Sequence, residues 1–241
     1  MRVIVVSDVH SNLPALEAVL EAAEGEAAEE LWCLGDLVGY NADPEACTTT
    51  VVGLADICLA GNHDLVVNGS VDIEVFAHDA AVAARWSQQV LSERALEQLR
   101  SLLPAGERHG VELYHASPRD PVWEYVIDPR TAQSCLELLE HDLALIGHSH
   151  VPLAYGQGER TASGGYAEPG TLDLGSGRWL LNPGSVGQPR DGDPRAAYMV
   201  LDTGARIATW RRIEYDIPRA QKAIEDAGLP HSLAWRLGEG R

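Results

Sequence analysis

Short apolar runs alternate with helical stretches over the first part of the chain. Val3–Val6 is a run of four β-branched residues, and Leu31–Leu34 and Ile57–Ala60 repeat the short apolar pattern. Pro14 and Pro44 stand where the first turn of a helix is expected, so we predict one helix after the first run and another over about 44–55. The order β-α-β-α-β is typical of parallel strands.

The first of these helices is amphipathic. Ser11 or Asn12 can cap its amino terminus. The apolar positions form one stripe, which consists of Leu13, Leu16, Val19 and Leu20. The glutamates lie outside that stripe and are expected to face solvent.

The middle of the chain has helical periodicity without a strand signal. Residues 71–103 are therefore predicted to form a two-helix excursion from the α/β pattern. Val111–Tyr114 and Leu143–Ile146 then have the composition of strands, and a helix is predicted between them at about 130–140.

The pattern changes after His150. Short alternating runs separated by glycine and proline predict antiparallel hairpins, with strands at Leu172–Leu174, Arg178–Leu181, Ala197–Leu201 and Arg206–Arg212. We expect residues 156–177 to form a glycine-containing loop region and residues 217–227 to form a closing helix. The first half of the chain is thus alternating α/β, and the second half is mainly β.

Length and charge narrow the function classes. The chain has 241 residues, which predicts a single domain over 1–241 that includes the helical excursion. The net charge is −18, from 18 Lys+Arg and 36 Asp+Glu, and Lys222 is the one lysine. A basic surface that grips a nucleic-acid backbone is excluded as the main mode of binding, so no stable nucleic-acid complex is expected.

Neither a targeting segment nor a disulfide framework is indicated. The first apolar run stops at Ser7, far short of a signal peptide, and no stretch approaches the ~20 apolar residues of a membrane span. The four cysteines are widely spaced and include no C-x-x-C. We therefore expect a cytoplasmic protein without membrane attachment and without a thiolate zinc site.

Each apolar run in the alternating half ends in polar residues of the same kind. These ends are Ser7-Asp8-Val9-His10, Gly35-Asp36, Gly61-Asn62-His63-Asp64, Tyr114-His115 and Gly147-His148-Ser149-His150. In a parallel sheet they would lie at the carboxyl ends of the strands, where α/β folds bind ligands. Two pairs, Asp8/His10 and His148/His150, have i, i+2 spacing. In an extended chain the two side chains of each pair would therefore point to the same side of the strand. We expect all these ends to converge on one crevice.

Their side chains have the chemistry of metal ligands. Carboxylate, imidazole and amide donors without thiolate suit Mn²⁺, Fe²⁺, Zn²⁺ or Mg²⁺. There are more donors than one ion needs, so we predict two ions ~3.5–4 Å apart with a bridging carboxylate. Two divalent ions, two aspartates and a bridging hydroxide sum to a charge of about +1. Such a pocket favours phosphate esters as substrates.

The five blocks resemble the ordered signature of the calcineurin-like metallophosphoesterase superfamily, D-x-H, G-D, G-N-H-[DE], H and G-H-x-H, over residues 8–150. The segment Leu181–Gly187 is similar to the bacterial phosphodiesterase branch, so the resemblance extends to about residue 202. It implies a four-layer α/β/β/α sandwich with a dinuclear centre between two sheets.

The resemblance also implies residue roles. It gives one ion Asp8, His10 and His150, gives the other Asn62, His115 and His148, and makes Asp36 the bridge. His63 matches the histidine that protonates the leaving group, and Asp64 would orient it. The ions would be Mn²⁺, with Fe, Zn²⁺, Ni²⁺ or Mg²⁺ as alternatives.

Single residues also have simpler interpretations. Asp8 or His10 could merely cap the next helix, and Asn62 could be a left-handed turn residue.

Two arginines and two aromatic residues are further candidates for substrate binding. Arg119 and Arg190 could bind phosphate oxygens, but Arg119 could equally pair with Asp120 or another neighbour. Tyr40 and Trp123 could stack on a leaving group or belong to the core or rim. Asn182-Pro183-Gly184 could be a tight turn that supports the metal ligands.

Three functions fit these observations. The first is a dinuclear phosphodiesterase that acts on a small phosphate ester with a metal-bridging hydroxide as nucleophile and His63 as general acid. The second is a phosphatase of the same fold acting on phosphoproteins or dinucleoside polyphosphates, and the third is a metal-stabilised binding scaffold without turnover. Motifs of serine hydrolases, P-loop proteins and Rossmann dehydrogenases are absent from the sequence.

Overall fold

The computed structural model describes residues 1–157 and 161–241. Its strands are β1 (Arg2–Val6), β2 (Glu30–Cys33), β3 (Ile57–Cys58), β4 (Ala105–Arg108), β5 (Val111–Tyr114), β6 (Leu143–Leu145), β7 (Pro152–Gly156), β8 (Ser163–Tyr166), β9 (Gly170–Asp173), β10 (Trp179–Pro183), β11 (Ala196–Asp202) and β12 (Ile207–Ile213). The helices are α1 (Leu13–Ala23), α2 (Pro44–Leu54), α3 (Asn62–Val67), α4 (His78–Val90), α5 (Glu93–Arg100), α6 (Pro129–Leu136), α7 (Ile217–Asp226) and α8 (His231–Glu239).

The strands form two six-stranded sheets. The first has the order β3-β2-β1-β11-β12-β9, and the second has the order β4-β5-β6-β10-β7-β8. As predicted, β1, β2 and β3 are parallel. β5, β6 and β10 are also parallel, whereas the remaining pairings in both sheets are antiparallel.

Strand alternation builds the layers. In β1, Val3 and Val5 point into the core between the two sheets, while Ile4 and Val6 point to the outer face. Helices α1 to α5 cover that outer face, and α6 covers the outer face of the second sheet. The predicted four-layer α/β/β/α architecture is confirmed, with α4 and α5 as the two helices of the excursion.

The first helix begins as its sequence predicts. The side chain of Asn12 caps α1 by accepting a hydrogen bond from the Ala15 amide (3.2 Å), and Pro14 lies in the first turn. The cap is therefore not formed by Asp8 or His10, and both remain available as ligands.

Some elements differ from the prediction. The region 156–177 is not simply a loop, because β8 and β9 lie within it; its residues 158–160 are outside the described part of the chain. β9 overlaps the predicted strand Leu172–Leu174, whereas β4, β7, β8, α3 and α8 are not predicted from the sequence. β4 has little strand propensity of its own, and it pairs with β5 in a hairpin. His109 and Gly110 form the turn between these strands, and their positive φ angles suit a tight turn.

In the described ranges 1–157 and 161–241, no helix is long and apolar enough to cross a bilayer. All four cysteines are free thiols.

Candidate metal centre

The carboxyl ends of five strands meet at one edge of the sandwich, and they come from both sheets. β1, β2 and β3 belong to the first sheet, whereas β5 and β6 belong to the second. The expectation that these strand ends converge on one crevice holds, and the crevice lies between two sheets, as the resemblance implies. The two sheets are joined across this edge by the amide of His148, which donates to Asp8 Oδ1 (3.2 Å).

Two groups of ligand atoms share one residue. Asp8, His10, Asp36 and His150 offer atoms that all lie within 4.8 Å of one another, and so do Asp36, His115 and His148. All of these side chains are buried. We call the first group the Asp8 cluster and the second, together with Asn62, the Asn62 cluster.

In the Asp8 cluster the imidazoles point at one position. His10 Nε2 and His150 Nε2 are 3.0 Å apart. His150 Nε2 lies 3.5 Å from Asp8 Oδ1, and His10 Nε2 lies 3.5 Å from Asp36 Oδ2. Two nitrogen lone pairs and two carboxylate oxygens therefore converge on one point, as a divalent ion requires.

The Asn62 cluster reaches the same aspartate from the other side. His115 Nε2 lies 3.5 Å from Asp36 Oδ2 and 3.1 Å from Asn62 Oδ1. Asn62 is the first residue of α3 and has no positive φ, so its interpretation as a left-handed turn residue is wrong. Asp36 Oδ2 thus lies between the histidines of the two clusters, which is the position of a bridging oxygen.

Backbone carbonyls fix which nitrogen of each ring faces the ligand position. The Nδ1 atoms of His10, His115 and His150 bond the carbonyls of Val38 (2.9 Å), Leu34 (2.8 Å) and Gln188 (2.6 Å). A carbonyl accepts only from N–H, so each Nε2 keeps its lone pair for a metal. His148 is reversed: Nε2 donates to the Trp123 carbonyl (3.2 Å), which leaves Nδ1 as its ligand atom.

The ligands stand on backbone that L-residues rarely adopt. Positive φ angles of 48–62° occur at five ligands, Asp8, His10, Asp36, His148 and His150. These residues are left-handed and not extended, so the argument from i, i+2 spacing fails. His148 and His150 accordingly join different clusters. Each such residue costs about 1–3 kcal/mol, which is typical of strain held at a functional site.

Two glycines of the motif blocks are required by close approach. A Cβ at Gly61 would overlap the Asp36 carboxylate, and one at Gly147 would overlap Ser7 Oγ. The glycines in G-N-H and G-H-x-H therefore let neighbouring chain segments come close enough for their ligands to meet.

The electrostatics of the centre fit a divalent cation. Burial raises the pKa of Asp8 to about 7 and raises that of Asp36 well above its usual value, with Asp64 adding to the latter. Burial lowers the pKa of His10 and His150 well below the usual value, and that of His148 to about 3. The imidazoles are thus neutral donors. Asp8 Oδ2 and Asp36 Oδ2 are buried without a hydrogen-bond partner, and a bound cation would satisfy both.

His63 lies beside the clusters and is not part of them. Its amide donates to Asp36 Oδ1 (2.8 Å), and its ring packs 4.4 Å from the rings of both Tyr40 and Phe76. Its Nδ1 is buried without a hydrogen-bond partner. Gly39 makes room for the ring, because a Cβ there would overlap Nδ1.

Asp64 uses both carboxylate oxygens to accept backbone amides, and its expected role of orienting the His63 ring stays a prediction. Its Oδ1 accepts the amides of Leu37 (2.9 Å) and Val38 (3.2 Å), and its Oδ2 accepts the amide of Gly61 (2.9 Å). The carboxylate is therefore used to cap α3 and to hold the loop after β2. The Asp64 carboxylate thus holds the two backbone segments that carry Asp36 and His63.

The two candidate arginines lie in different environments. Arg119 is half-exposed and pairs with Glu124 (Nε to Oε1, 3.4 Å), which favours its interpretation as an ion-pair residue with Glu124 in place of Asp120. Arg190 lines the cavity over the centre and donates from Nη2 to Tyr40 Oη (3.2 Å) and Gln188 Oε1 (2.9 Å).

That cavity has a volume of about 220 Å³. Tyr40 and Trp123 both line it, together with Phe76 and Tyr125, which sequence analysis did not single out. The Tyr125 ring stacks on His148 at a centroid distance of 4.1 Å. A larger groove of about 560 Å³ lies between β8, β9, Trp179 and Trp210, but it contains none of the ligand residues.

The Leu181–Gly187 segment braces the centre, as the tight-turn interpretation predicts. Asn182 Nδ2 donates to the Gly147 carbonyl (2.7 Å), and Ser185 Oγ donates to the Asp8 carbonyl (2.8 Å). Gly184 has a φ of +84°, as a tight turn requires. The segment thus links the loops that carry Asp8 and His148.

Comparison with known proteins agrees with this site. The model of the calcineurin-like phosphoesterase superfamily domain matches residues 1–206. The chain is 36% identical over 250 residues to an uncharacterized protein of Methanocaldococcus jannaschii, covering 98% of this chain and 97% of that one. It is 30% identical over 207 residues to phosphodiesterase YfcE of Escherichia coli, covering 84% and 88%. The crystal structure of a metallophosphoesterase from Sphaerobacter thermophilus matches with a TM-score of 0.91 and 39% identity, covering 100% and 99%.

The chain therefore belongs to the calcineurin-like phosphoesterase superfamily, and the resemblance seen in its motifs is confirmed. Its class is that of metal-dependent phosphoester hydrolases, and the Asp/His clusters are compatible with a divalent metal site.

Proposed function

We propose that this chain hydrolyses phosphodiesters at a centre of two divalent ions. One observation carries the proposal: Asp36 Oδ2 lies 3.5 Å from both His10 Nε2 and His115 Nε2, one histidine from each cluster. A carboxylate oxygen shared between two ligand groups is the arrangement that two-metal sites require. We propose Mn²⁺ as the first ion to test, with Fe, Zn²⁺, Ni²⁺ and Mg²⁺ as alternatives.

The candidate ligands would divide between the two ions. Asp8, His10 and His150 would hold one ion, Asn62, His115 and His148 the other, and Asp36 both. When bound, the ions would supply a hydroxide nucleophile and positive charge for the phosphoryl oxygens. Arg190 lines the same cavity and adds a fixed positive charge to its wall, beside the centre.

His63 is proposed as the group that protonates the leaving alkoxide. Its ring lines the cavity, and its buried Nδ1 has no protein partner. Burial, followed by the charge of Arg190, lowers the pKa of His63 well below its usual value. An anionic substrate beside the ring would raise that pKa again by electrostatic attraction, so the protonated form is favoured when substrate is bound.

A diester is proposed in preference to a monoester. The charge of about +1 left at the centre matches the single charge of a diester more closely than the nearly double charge of a monoester near neutrality. The 30% identical relative is named a phosphodiesterase. The substrate is proposed to be small, because the cavity measures about 220 Å³ and the net charge of −18 disfavours long nucleic acids. The proposed compartment is the cytoplasm.

Metal analysis combined with two chromogenic substrates tests this function. Protein saturated with Mn²⁺ should hold two ions per chain and should hydrolyse bis(p-nitrophenyl) phosphate faster than p-nitrophenyl phosphate. His115→Ala should lose metal and activity, whereas the matched control His78→Ala, whose side chain is 87% exposed, should keep both. A single ion per chain, or a wide preference for the monoester, would contradict the proposal.

A further inference from the structure

Two arginines face one tyrosine ring at the rim of the metal cavity. The guanidinium carbon of Arg190 lies 5.5 Å from the centre of the Tyr40 ring, and that of Arg236 lies 5.8 Å from it. The same ring is 4.7 Å from His10 and 4.4 Å from His63. Both cations are therefore one aromatic ring away from the proposed reaction centre.

Arg190 is held in place by the loop that follows it. The next residue, Asp191, forms a buried ion pair with Arg212, and both side chains are almost completely inaccessible to solvent. Gln188 Oε1 also accepts bonds from the Nη2 (2.9 Å) and Nε (3.3 Å) of Arg190. The guanidinium is thus fixed over the cavity at low entropic cost to binding.

Arg236 reaches this rim because α8 packs beside that loop. Leu233, Ala234 and Leu237 of α8 pack in one apolar cluster with residues of α4 and α7. The Gly192 amide donates to the Gly240 carbonyl (3.0 Å), and a Cβ at Gly240 would overlap the backbone of Asp193. The helix lies beyond residues 1–206, which the superfamily model matches, so the family signature does not account for Arg236.

Neither cation forms an ion pair with an aspartate or glutamate side chain in the described ranges 1–157 and 161–241. The guanidinium of Arg236 donates only from Nε, to the main-chain oxygen of Arg241 (2.9 Å), which leaves its Nη groups free. Asp79 is the acidic residue near Arg236, but it already bonds His78 Nδ1 (2.9 Å) and the Ser232 hydroxyl. Burial lowers the pKa of Arg236, and the charge of Arg190 lowers it further. An anion between the arginines would relieve this repulsion.

The space beside the metal cavity can admit such an anion. A second cavity of about 390 Å³ is lined by Arg236 and shares Tyr40, Ala77 and Ala80 with the cavity over the centre. The two cavities therefore adjoin at these three residues, and His78 and Asp79 also line the second one. A planar guanidinium pairs with two phosphate oxygens at once, which makes a phosphate the anion best suited to this pair.

We propose that Arg190 and Arg236 form a subsite for a second phosphate group of the substrate, so that the preferred substrate is a phosphodiester that carries an additional phosphate. The proposal rests on the proposed function, because the first phosphate is taken to occupy the metal centre. It makes Arg236 a specificity-determining residue.

Two substrates that differ only in the second phosphate test the subsite. Thymidine 5′-(p-nitrophenyl phosphate) and its 3′-phosphorylated form both release p-nitrophenolate. We expect wild-type kcat/KM to be about tenfold or more higher for the phosphorylated form, the gain of one charge-assisted pair. Arg236→Gln should remove most of this ratio, and Arg236→Lys should keep part of it. Arg219→Gln on neighbouring α7, whose arginine pairs with exposed Glu17, is the matched control and should leave the ratio unchanged.

A binding measurement separates failure of the subsite from failure of the proposed function. Calorimetry with ADP and AMP should show ADP binding more tightly, and Arg236→Gln should weaken ADP about tenfold more than AMP. If neither ester is hydrolysed, the proposed function is wrong. The calorimetric comparison of ADP with AMP then shows by itself whether Arg236 binds a second phosphate. An unchanged ester ratio in Arg236→Gln overturns the subsite. The subsite is also overturned if Arg236→Gln changes only the inhibition by inorganic phosphate, because Arg190 and Arg236 would then bind free phosphate and not the substrate.

Discussion

Strand β2 has a carboxylate near each end, and the two carboxylates have opposite environments. At the amino end, Glu30 accepts hydrogen bonds from Arg108 Nε (2.6 Å), Arg108 Nη2 (2.8 Å) and Trp32 Nε1 (2.7 Å). The bonds from Arg108 are the main cause that lowers the pKa of Glu30 to about 2. At the carboxyl end, Asp36 is buried, its Oδ2 has no hydrogen-bond partner, and burial raises its pKa.

This difference in environment gives the two carboxylates different roles, one in stability and the other in metal binding. Glu30 is ionised next to a cation from the protein itself, so it stabilises the fold. Asp36 is desolvated without such a cation, so it destabilises the metal-free fold and is available to a metal. The following experiments test this contrast.

The largest effect is expected for Asp36→Asn. Activity should fall more than about 10³-fold, beyond the ~10²–10³ attributed to one oxyanion-stabilising donor, because both clusters lose their shared ligand. The thermal midpoint of metal-free protein should nevertheless rise. The new amide can donate to the Nε2 atoms of His10 and His115, each 3.5 Å from the present Oδ2. Calorimetry of metal-free protein and an activity assay measure the two effects, and a lower midpoint would contradict the contrast.

Next in size is the effect of His63→Ala. Both ions should remain, because His63 belongs to neither cluster. Turnover should fall about 10²-fold or more for esters with poor leaving groups and little for nitrophenyl esters, whose anion departs without a proton. Rates across esters of graded leaving-group pKa measure this. A uniform loss would indicate that His63 only positions phosphate, and loss of metal would make it part of the scaffold.

Metal removal should reduce stability through the same buried carboxylates. Metal at 100 times its dissociation constant stabilises the folded state by about 2.7 kcal/mol, which for a chain of this size raises Tm by about 5–10 °C. A chelator should reverse the rise. In Asp36→Asn the rise should be much smaller, and an equal rise in both proteins would show that the metal binds elsewhere.

The smallest effect is expected for Glu30→Gln. Because the folded pKa of Glu30 is below its ordinary value of 4.5, its contribution is fully present above pH 4.5 and is lost as the pH falls towards 2. We expect the substitution to cost about 1 kcal/mol at pH 7, since the pair is partly screened by solvent, and to cost little near pH 2. Urea unfolding across this range measures it, with the exposed neighbour Glu29→Gln as control. Activity should not change.

Local signals predicted much of the fold and most of the candidate ligands. The alternation in β1, the cap at Asn12 and the prolines of α1 and α2 depend on neighbouring residues, so periodicity and turn chemistry are sufficient to find them. The sequence pattern does not predict α3, which has only six residues, or β4, whose residues have little strand propensity and form a strand by pairing with β5. The donor-rich strand ends indicate metal chemistry by residue type and spacing alone.

The sequence by itself determined the ligand types, their order and the acidic character of the protein, because these are properties of the residues and their spacing. Only the tertiary structure shows which candidate ligand atoms lie together in one cluster and which arginine lines the cavity. His148 and His150 are two residues apart but join different clusters, whereas Arg190 and Arg236 are far apart in sequence but meet at Tyr40. Packing of two sheets and a carboxyl-terminal helix creates these contacts, and spacing along the chain does not encode that packing locally.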